Sequence, residues 1–277
     1  LNRIDARFED LGKRGRRALI PYVTAGYPGP DATVPVLHAA VEAGADLLEI
    51  GMPFSDVMAD GPVIQEACAR ALEQGTGLEQ VLAMVAEFRR SDAHTPIILM
   101  GYANPIERRG VARFCEEAAA AGVDGLLIVD VPADEAGEMR AELARHDLHQ
   151  IFLVAPTTTD ARLKRAAELA GGFLYYVSLK GVTGAASLDT ASLAPAVERI
   201  KAAAGVPVAV GFGISTPEHA AAAARSADAV VIGSALVKRL GQADSTAAAV
   251  AAARDYLAPI RQAMDNTASS TSNVVSA

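Results

Sequence analysis

Residues 111–131 read VARFCEEAAAAGVDGLLIVDV, and this stretch decides the fold. Val111–Ala121 is an amphipathic Ala/Glu/Arg segment of helical length. Gly122 supplies the stop that ends such a helix. GLLIVDV, from Gly125, is a near-continuous apolar run of the kind found in parallel strands buried on both faces. The same sentence repeats along the chain. Apolar runs begin near Ala18, Asp46, Pro96, Gly125, Gln150, Phe173, Pro207 and Asp228. Helical segments alternate with them: Asp31–Ala43, Leu78–Arg90, Val111–Ala121, Ala133–Arg145, Asp160–Ala170, Leu193–Ala204, Pro217–Arg225 and Thr246–Met264. Gly44, Gly122, Gly171 and Gly205 stand just before strands, and Thr159, Ser192 and Thr216 stand where N-caps belong.

Eight strand–helix units in 277 residues predict an α/β fold, a single (β/α)8 TIM barrel. A doubly wound open sheet is the competing reading, but no G-x-G-x-x-G follows the first strand. Two helices are additional: an N-terminal one near Arg3–Gly12, suited to cover the barrel bottom, and one inserted after strand 2, near Pro62–Gln74. Residues 1–265 are expected to form the catalytic barrel domain. The small, polar tail 266–277 (NTASSTSNVVSA) is expected to be disordered.

The net charge of −8 argues against a nucleic-acid groove or a polybasic membrane patch. It leaves room for a local anion site, because backbone N–H groups bind phosphate without net positive charge. No apolar run is long enough to span a bilayer, and the segment from Leu1 to Asp10 has no signal-peptide core. Cys68 and Cys115 are too few for a disulfide framework, which points to a reducing cytoplasm.

Barrel chemistry sits at the C-terminal ends of the strands. The second strand carries Glu49 inside LLEIG, a carboxylate in an apolar run. Burial of this kind is costly unless the group is paired or neutral. The structural reading is an ion pair, yet no Lys or Arg lies within the strands. The functional reading is a general acid/base whose pKa burial has raised. Asp60 follows in the next loop, directly before a Gly-Pro helix start. It suits an N-cap, a second carboxylate sharing proton-transfer work with Glu49, or both at once. Strand 6 offers Tyr175 and Tyr176 on opposite faces, so one points inward. Glycine-rich loops after strands 6, 7 and 8 (180–185, 211–215 and 232–235) form a phosphate cup. None of the five histidines falls at the mouth, and no Cys/His spacing suggests a metal. Lys180 is the one Schiff-base candidate, but its flexible loop would desolvate it poorly.

The stretch 48–65 (LEIGMPFSDVMADGPVIQ), with PYVTAG at 21–26, YANP at 102–105, DVP at 130–132 and KGVTG at 180–184, resembles the tryptophan synthase α subunit family. The resemblance runs from about residue 3 to 264. It implies retro-aldol cleavage of indole-3-glycerol phosphate to indole and glyceraldehyde 3-phosphate. It gives Glu49 the acid/base role, Asp60 the charge developing at the indole N–H, and Tyr175 an inward catalytic position. Phosphate is then expected on Gly184, Gly213, Gly233 and Ser234. The indole ring is expected among Tyr22, Met100, Tyr102, Leu127, Val129, Leu153, Phe212 and Ile232, with Thr183 on a closing lid. The family also implies a β subunit in an α2β2 complex, to which indole passes. Phe54, Ser55, Asp56, Asn104, Pro105 and Pro132 are its expected contacts. This chain is expected to hold no cofactor and no metal, pyridoxal phosphate belonging to the partner. Val57 stands where the family commonly has Pro, and Leu179 where some members have Arg. Three other readings are an autonomous indole-releasing lyase, a phosphosugar aldolase using Lys180, and a non-catalytic activating subunit. Retention of both Glu49 and Asp60 speaks against the last.

Overall fold

Side chains in the strands sort by parity. In the run GLLI, Leu126 and Ile128 face the surrounding helices and Leu127 faces the barrel axis. This alternation recurs around a computed structural model that describes residues 1–177, 190–211 and 213–272. Eight parallel strands close a barrel in chain order. They are β1 (Ala18–Thr24), β2 (Leu48–Gly51), β3 (Ile97–Gly101), β4 (Gly125–Ile128), β5 (His149–Val154), β6 (Leu174–Val177), β7 (Val208–Gly211) and β8 (Ala229–Ile232). Ile20, Ile98, Leu127, Ile151, Ala209 and Val231 fill the axis. A larger outer layer, with Leu19, Ile50, Leu99, Leu126, Val210 and Val230, packs against the helices.

Helix α1 (Arg3–Lys13) caps the bottom as expected. Its Ile4 and Leu11 join the axial cluster, and Phe8 packs on Phe173 with ring centroids 5.7 Å apart. Asn2 caps it by accepting from the Ile4 N–H at 2.9 Å. The insertion is α3 (Pro62–Glu73). The main layer includes α2 (Thr33–Glu42), α4 (Leu78–Phe88), α6 (Val111–Ala121), α7 (Gly137–Arg145), α8 (Asp160–Leu169), α9 (Thr190–Ala203), α10 (Pro217–Ala224) and α12 (Thr246–Ser272). Gly122 ends α6 in the left-handed conformation, at φ 95°. Thr159 and Thr216 cap α8 and α10 through their hydroxyls.

One helix is additional and three expectations shift. YANP at 102–105 begins a helix, α5 (Ala103–Arg109), because Pro105 stands in the first turn, where no backbone N–H is required. The segment expected to open α7 at Ala133 forms a turn instead, closed by the Glu135 N–H donating to the Pro132 carbonyl at 3.0 Å. Ser192 is inside α9, whose helix begins at Thr190. The tail expected to be disordered from residue 266 continues α12 to Ser272. There the Thr267 hydroxyl bonds back to the Met264 carbonyl at 2.7 Å, a local contact that helical backbone accommodates.

Three aspartates close the bottom of the barrel. Asp46, Asp124 and Asp228 stand just before β2, β4 and β8. Each accepts a backbone N–H from the preceding strand: Leu19 at 2.9 Å, Ile97 at 2.8 Å and Val208 at 3.0 Å. Each is also neutralised by two cations. Arg16 and Arg261 flank Asp46, Arg3 and Arg89 flank Asp124, and Arg17 and Lys201 flank Asp228. Asp124 and Arg89 are nearly buried, so removing one partner strands the other. Asp124→Ala is expected to cost about 3–5 kcal/mol in urea unfolding. A loss under about 1 kcal/mol, the ordinary worth of an exposed pair, would contradict this bracing role.

Candidate active site

At the C-terminal mouth lies a cavity of about 460 Å³. Glu49 and Asp60 both line it. β2 fixes Glu49 in register with Tyr22 of β1 and Ile98 of β3. The residue is 1% exposed, and its Oε1 has no hydrogen-bond partner among the described residues. No described cation reaches it, so the ion-pair reading does not hold. Burial first, and the nearby Asp60 carboxylate second, push its pKa from 4.5 up to about 8.

Asp60 lies in the loop between β2 and α3. The N-cap of α3 is Gly61, whose carbonyl receives the Ile64 and Gln65 N–H groups, and no side chain caps this helix. Asp60 Oδ2 instead accepts from the Tyr102 hydroxyl at 2.7 Å. That hydroxyl in turn accepts from the Ala59 N–H at 3.0 Å. Burial raises the Asp60 pKa, and the Tyr102 hydrogen bond opposes the rise. The capping reading is therefore corrected: no side chain caps α3, and the Asp60 carboxylate bonds Tyr102 and lines the cavity. Val57 is buried in one cluster with Tyr22, Ile64 and Tyr102.

Tyr175 is the inward member of its pair, and Tyr176 belongs to the outer layer. Tyr22 and Tyr175 fold over Gly51 and Gly211, where a Cβ would collide with either tyrosine hydroxyl. The Tyr22 hydroxyl also shares a 3.2 Å hydrogen bond with Thr24. Met100, Leu127, Val129 and Leu153 complete an apolar wall, and Gly213, Gly233 and Ser234 stand opposite on the loops after β7 and β8.

Two of the expected pocket residues are elsewhere. Ile232 faces the helix layer; Val231 takes the inward position, because side chains alternate along β8 and a one-residue offset reverses the face. Tyr102 stands behind Asp60 instead of lining the cavity. Thr183, Gly184 and Phe212, with Lys180 and Leu179, lie outside the described residues. Sequence reasoning missed Val177, Ile214 and Lys238 as lining residues. Lys238 carried a usable signal, being four residues beyond Ser234 on one helix face. Among the described residues no group of three or more His, Cys, Asp or Glu side chains is arranged to hold a metal.

Residues 8–267 match the family described as tryptophan synthase alpha chain. The chain belongs to that family. It is 53% identical over 266 residues to the tryptophan synthase alpha chain of Thioalkalivibrio sulfidiphilus, covering 96% of this chain and 100% of that one. It is 54% identical to the alpha chain of Xanthomonas oryzae pv. oryzae, covering 96% and 99%. Among solved structures, the alpha subunit from Legionella pneumophila superposes with a TM-score of 0.90 at 42% identity, covering 96% of this chain and 99% of that one. A chain of the tryptophan synthase from M. tuberculosis gives 0.85 at 35% identity, covering 95% and 99%. Membership makes the chain a lyase of tryptophan biosynthesis on a TIM barrel.

The raised Glu49 pKa has a consequence for stability. From about pH 4.5 to 8 the unfolded chain ionises Glu49 while the folded chain keeps the proton. Folding stability from this group is thus present below pH 4.5 and lost as pH rises toward 8. Relative to Glu49→Gln, the wild type is expected to become less stable across that window, read as diverging urea midpoints. Parallel midpoints across the window would contradict a protonated Glu49.

Proposed function

We propose that Glu49 and Asp60 carry out the cleavage of indole-3-glycerol phosphate to indole and glyceraldehyde 3-phosphate, the alpha-chain reaction of tryptophan synthase. The observation that carries this assignment is Glu49, buried with no cation beside it among the described residues, where burial pushes its pKa up to about 8. At neutral pH such a carboxyl holds a proton it can donate. Having donated it, the carboxylate stands in an apolar wall and takes a proton back readily.

Glu49 gives its proton to indole C3, and positive charge develops at the indole nitrogen. Asp60, kept in place by Tyr102, stabilises that charge through the N–H. The Glu49 carboxylate then takes the proton of the glycerol hydroxyl beside the bond to be broken. A carbonyl forms there, the C–C bond electrons return to the ring, and Glu49 is again protonated. Tyr175 closes one side of the reacting centre. Tyr22, Met100, Leu127, Val129 and Leu153 supply the surface for a flat apolar ring. Gly213, Gly233 and Ser234 offer backbone and hydroxyl donors to the phosphate.

Alpha chains work with a β subunit. In this reading the contact surface includes Phe54, Ser55, Asp56, Asn104, Pro105 and Pro132. Ser55, Asp56, Asn104 and Pro132 are exposed, and Phe54 packs its ring 5.5 Å from that of Tyr102, behind Asp60. Partner and carboxylate thus share one loop. Alpha chains carry no cofactor of their own, and pyridoxal phosphate is assigned to the partner. The cytoplasm is the proposed compartment; no helix among the described residues is long and apolar enough to cross a membrane. Residues 1–265 are taken as the catalytic domain.

A cleavage assay on indole-3-glycerol phosphate, with and without the β subunit, tests the assignment. Glu49→Gln is expected to lower turnover by at least about 10²–10⁴-fold while the chain stays folded. Asp60→Asn is expected to lower turnover with α3 intact by circular dichroism. Activity of Glu49→Gln within about tenfold of wild type would remove Glu49 from the acid/base role, since one proton transfer alone is worth more.

A further inference from the structure

Lys238, on α11 (Ser234–Leu240), is the one lysine, arginine or histidine lining the cavity among its described residues. It is exposed, and its ammonium makes no ion pair or hydrogen bond with any described residue. Its neighbour Arg239 is committed elsewhere: its guanidinium lies 4.0 Å over the Tyr256 ring and bonds the Ala235 carbonyl at 3.2 Å. Lys238 and Ser234 are an i, i+4 pair, so they share a helix face, and Gly233 adjoins them. The cavity otherwise holds two acids, Glu49, which burial keeps protonated, and Asp60, on a chain of net charge −8. A phosphomonoester entering it meets a negative field unless a cation offsets it.

We propose that Lys238 is the cationic part of the substrate's phosphate subsite. Its ammonium draws the dianion to the mouth and holds it against Gly233 and Ser234. Lysine suits this task as a compact point charge on a flexible stem. It leaves the reacting carbon to Glu49 and Asp60, so it is a binding and positioning residue. The inference rests on the lyase reading of the cavity, and one arm of its test is independent of cleavage.

The test uses the full chain with Lys238→Ala and Lys238→Arg. For Lys238→Ala the KM for indole-3-glycerol phosphate is expected to rise about tenfold, the loss of one charge-assisted contact. The loss falls mainly on KM, and Lys238→Arg recovers most of it. The fall of kcat/KM with added salt becomes shallower in Lys238→Ala, as one exposed charge leaves the site. Titration calorimetry with inorganic phosphate, without substrate, is expected to show the same weakening. Phosphate affinity and KM both within about twofold of wild type would overturn the proposal, because that is below the worth of one such contact. So would equal losses in the Ala and Arg variants, or a loss confined to kcat. If the wild type cleaves nothing, the lyase reading fails, and the phosphate titration still decides the role of Lys238.

Discussion

One constraint organises this molecule: a carboxyl is buried at the mouth of a closed barrel with no cation beside it among the described residues. Glu49 is as inaccessible as the leucines around it. Charging it there is costly, so it holds its proton to about pH 8. The bottom of the barrel handles acids in the opposite way. Asp46, Asp124 and Asp228 each have two cations and a backbone N–H. The fold therefore separates its acids by purpose. Those at the strand starts are neutralised and brace the sheet. The one at a strand end has no charged partner among the described residues and keeps a transferable proton.

Asp60 completes the contrast. It is the second acid of the cavity, yet it retains a hydrogen-bond donor, the Tyr102 hydroxyl, that favours its charged form. Burial raises both pKa values, but only Asp60 has a side-chain hydrogen bond that opposes the rise, an inequality of environment that can divide acid and charge-stabilising roles. Closed packing makes this possible. Tyr22 and Tyr175 fill the space above Gly51 and Gly211, and Tyr22 keeps its hydroxyl bonded to Thr24.

The barrel was legible in the sequence because its signal is repeated. Eight apolar runs alternate with helical segments, and glycines and caps mark many boundaries. Glu49 was legible for the same reason: a charged letter inside an apolar run is conspicuous. What escaped depended on single-residue geometry or on contacts distant in sequence. Parity in β8 decides between Val231 and Ile232, and an all-apolar run hides parity. The fate of Asp60 depended on Tyr102, 42 residues away, which the local helix-start pattern does not encode. Lys238 was hidden by chemistry that looks ordinary on a surface helix until the cavity is seen beside it.

The most direct test of this account is the titration of Glu49 itself, by carbon-13 NMR of side-chain carboxyls in the full chain, with Glu49→Gln to assign the signal. The account predicts one glutamate carboxyl that keeps its proton through neutral pH and titrates near 8, absent in the variant. A Glu49 signal that titrates in the ordinary range near 4.5 would contradict it, and with it the acid/base role assigned to that residue.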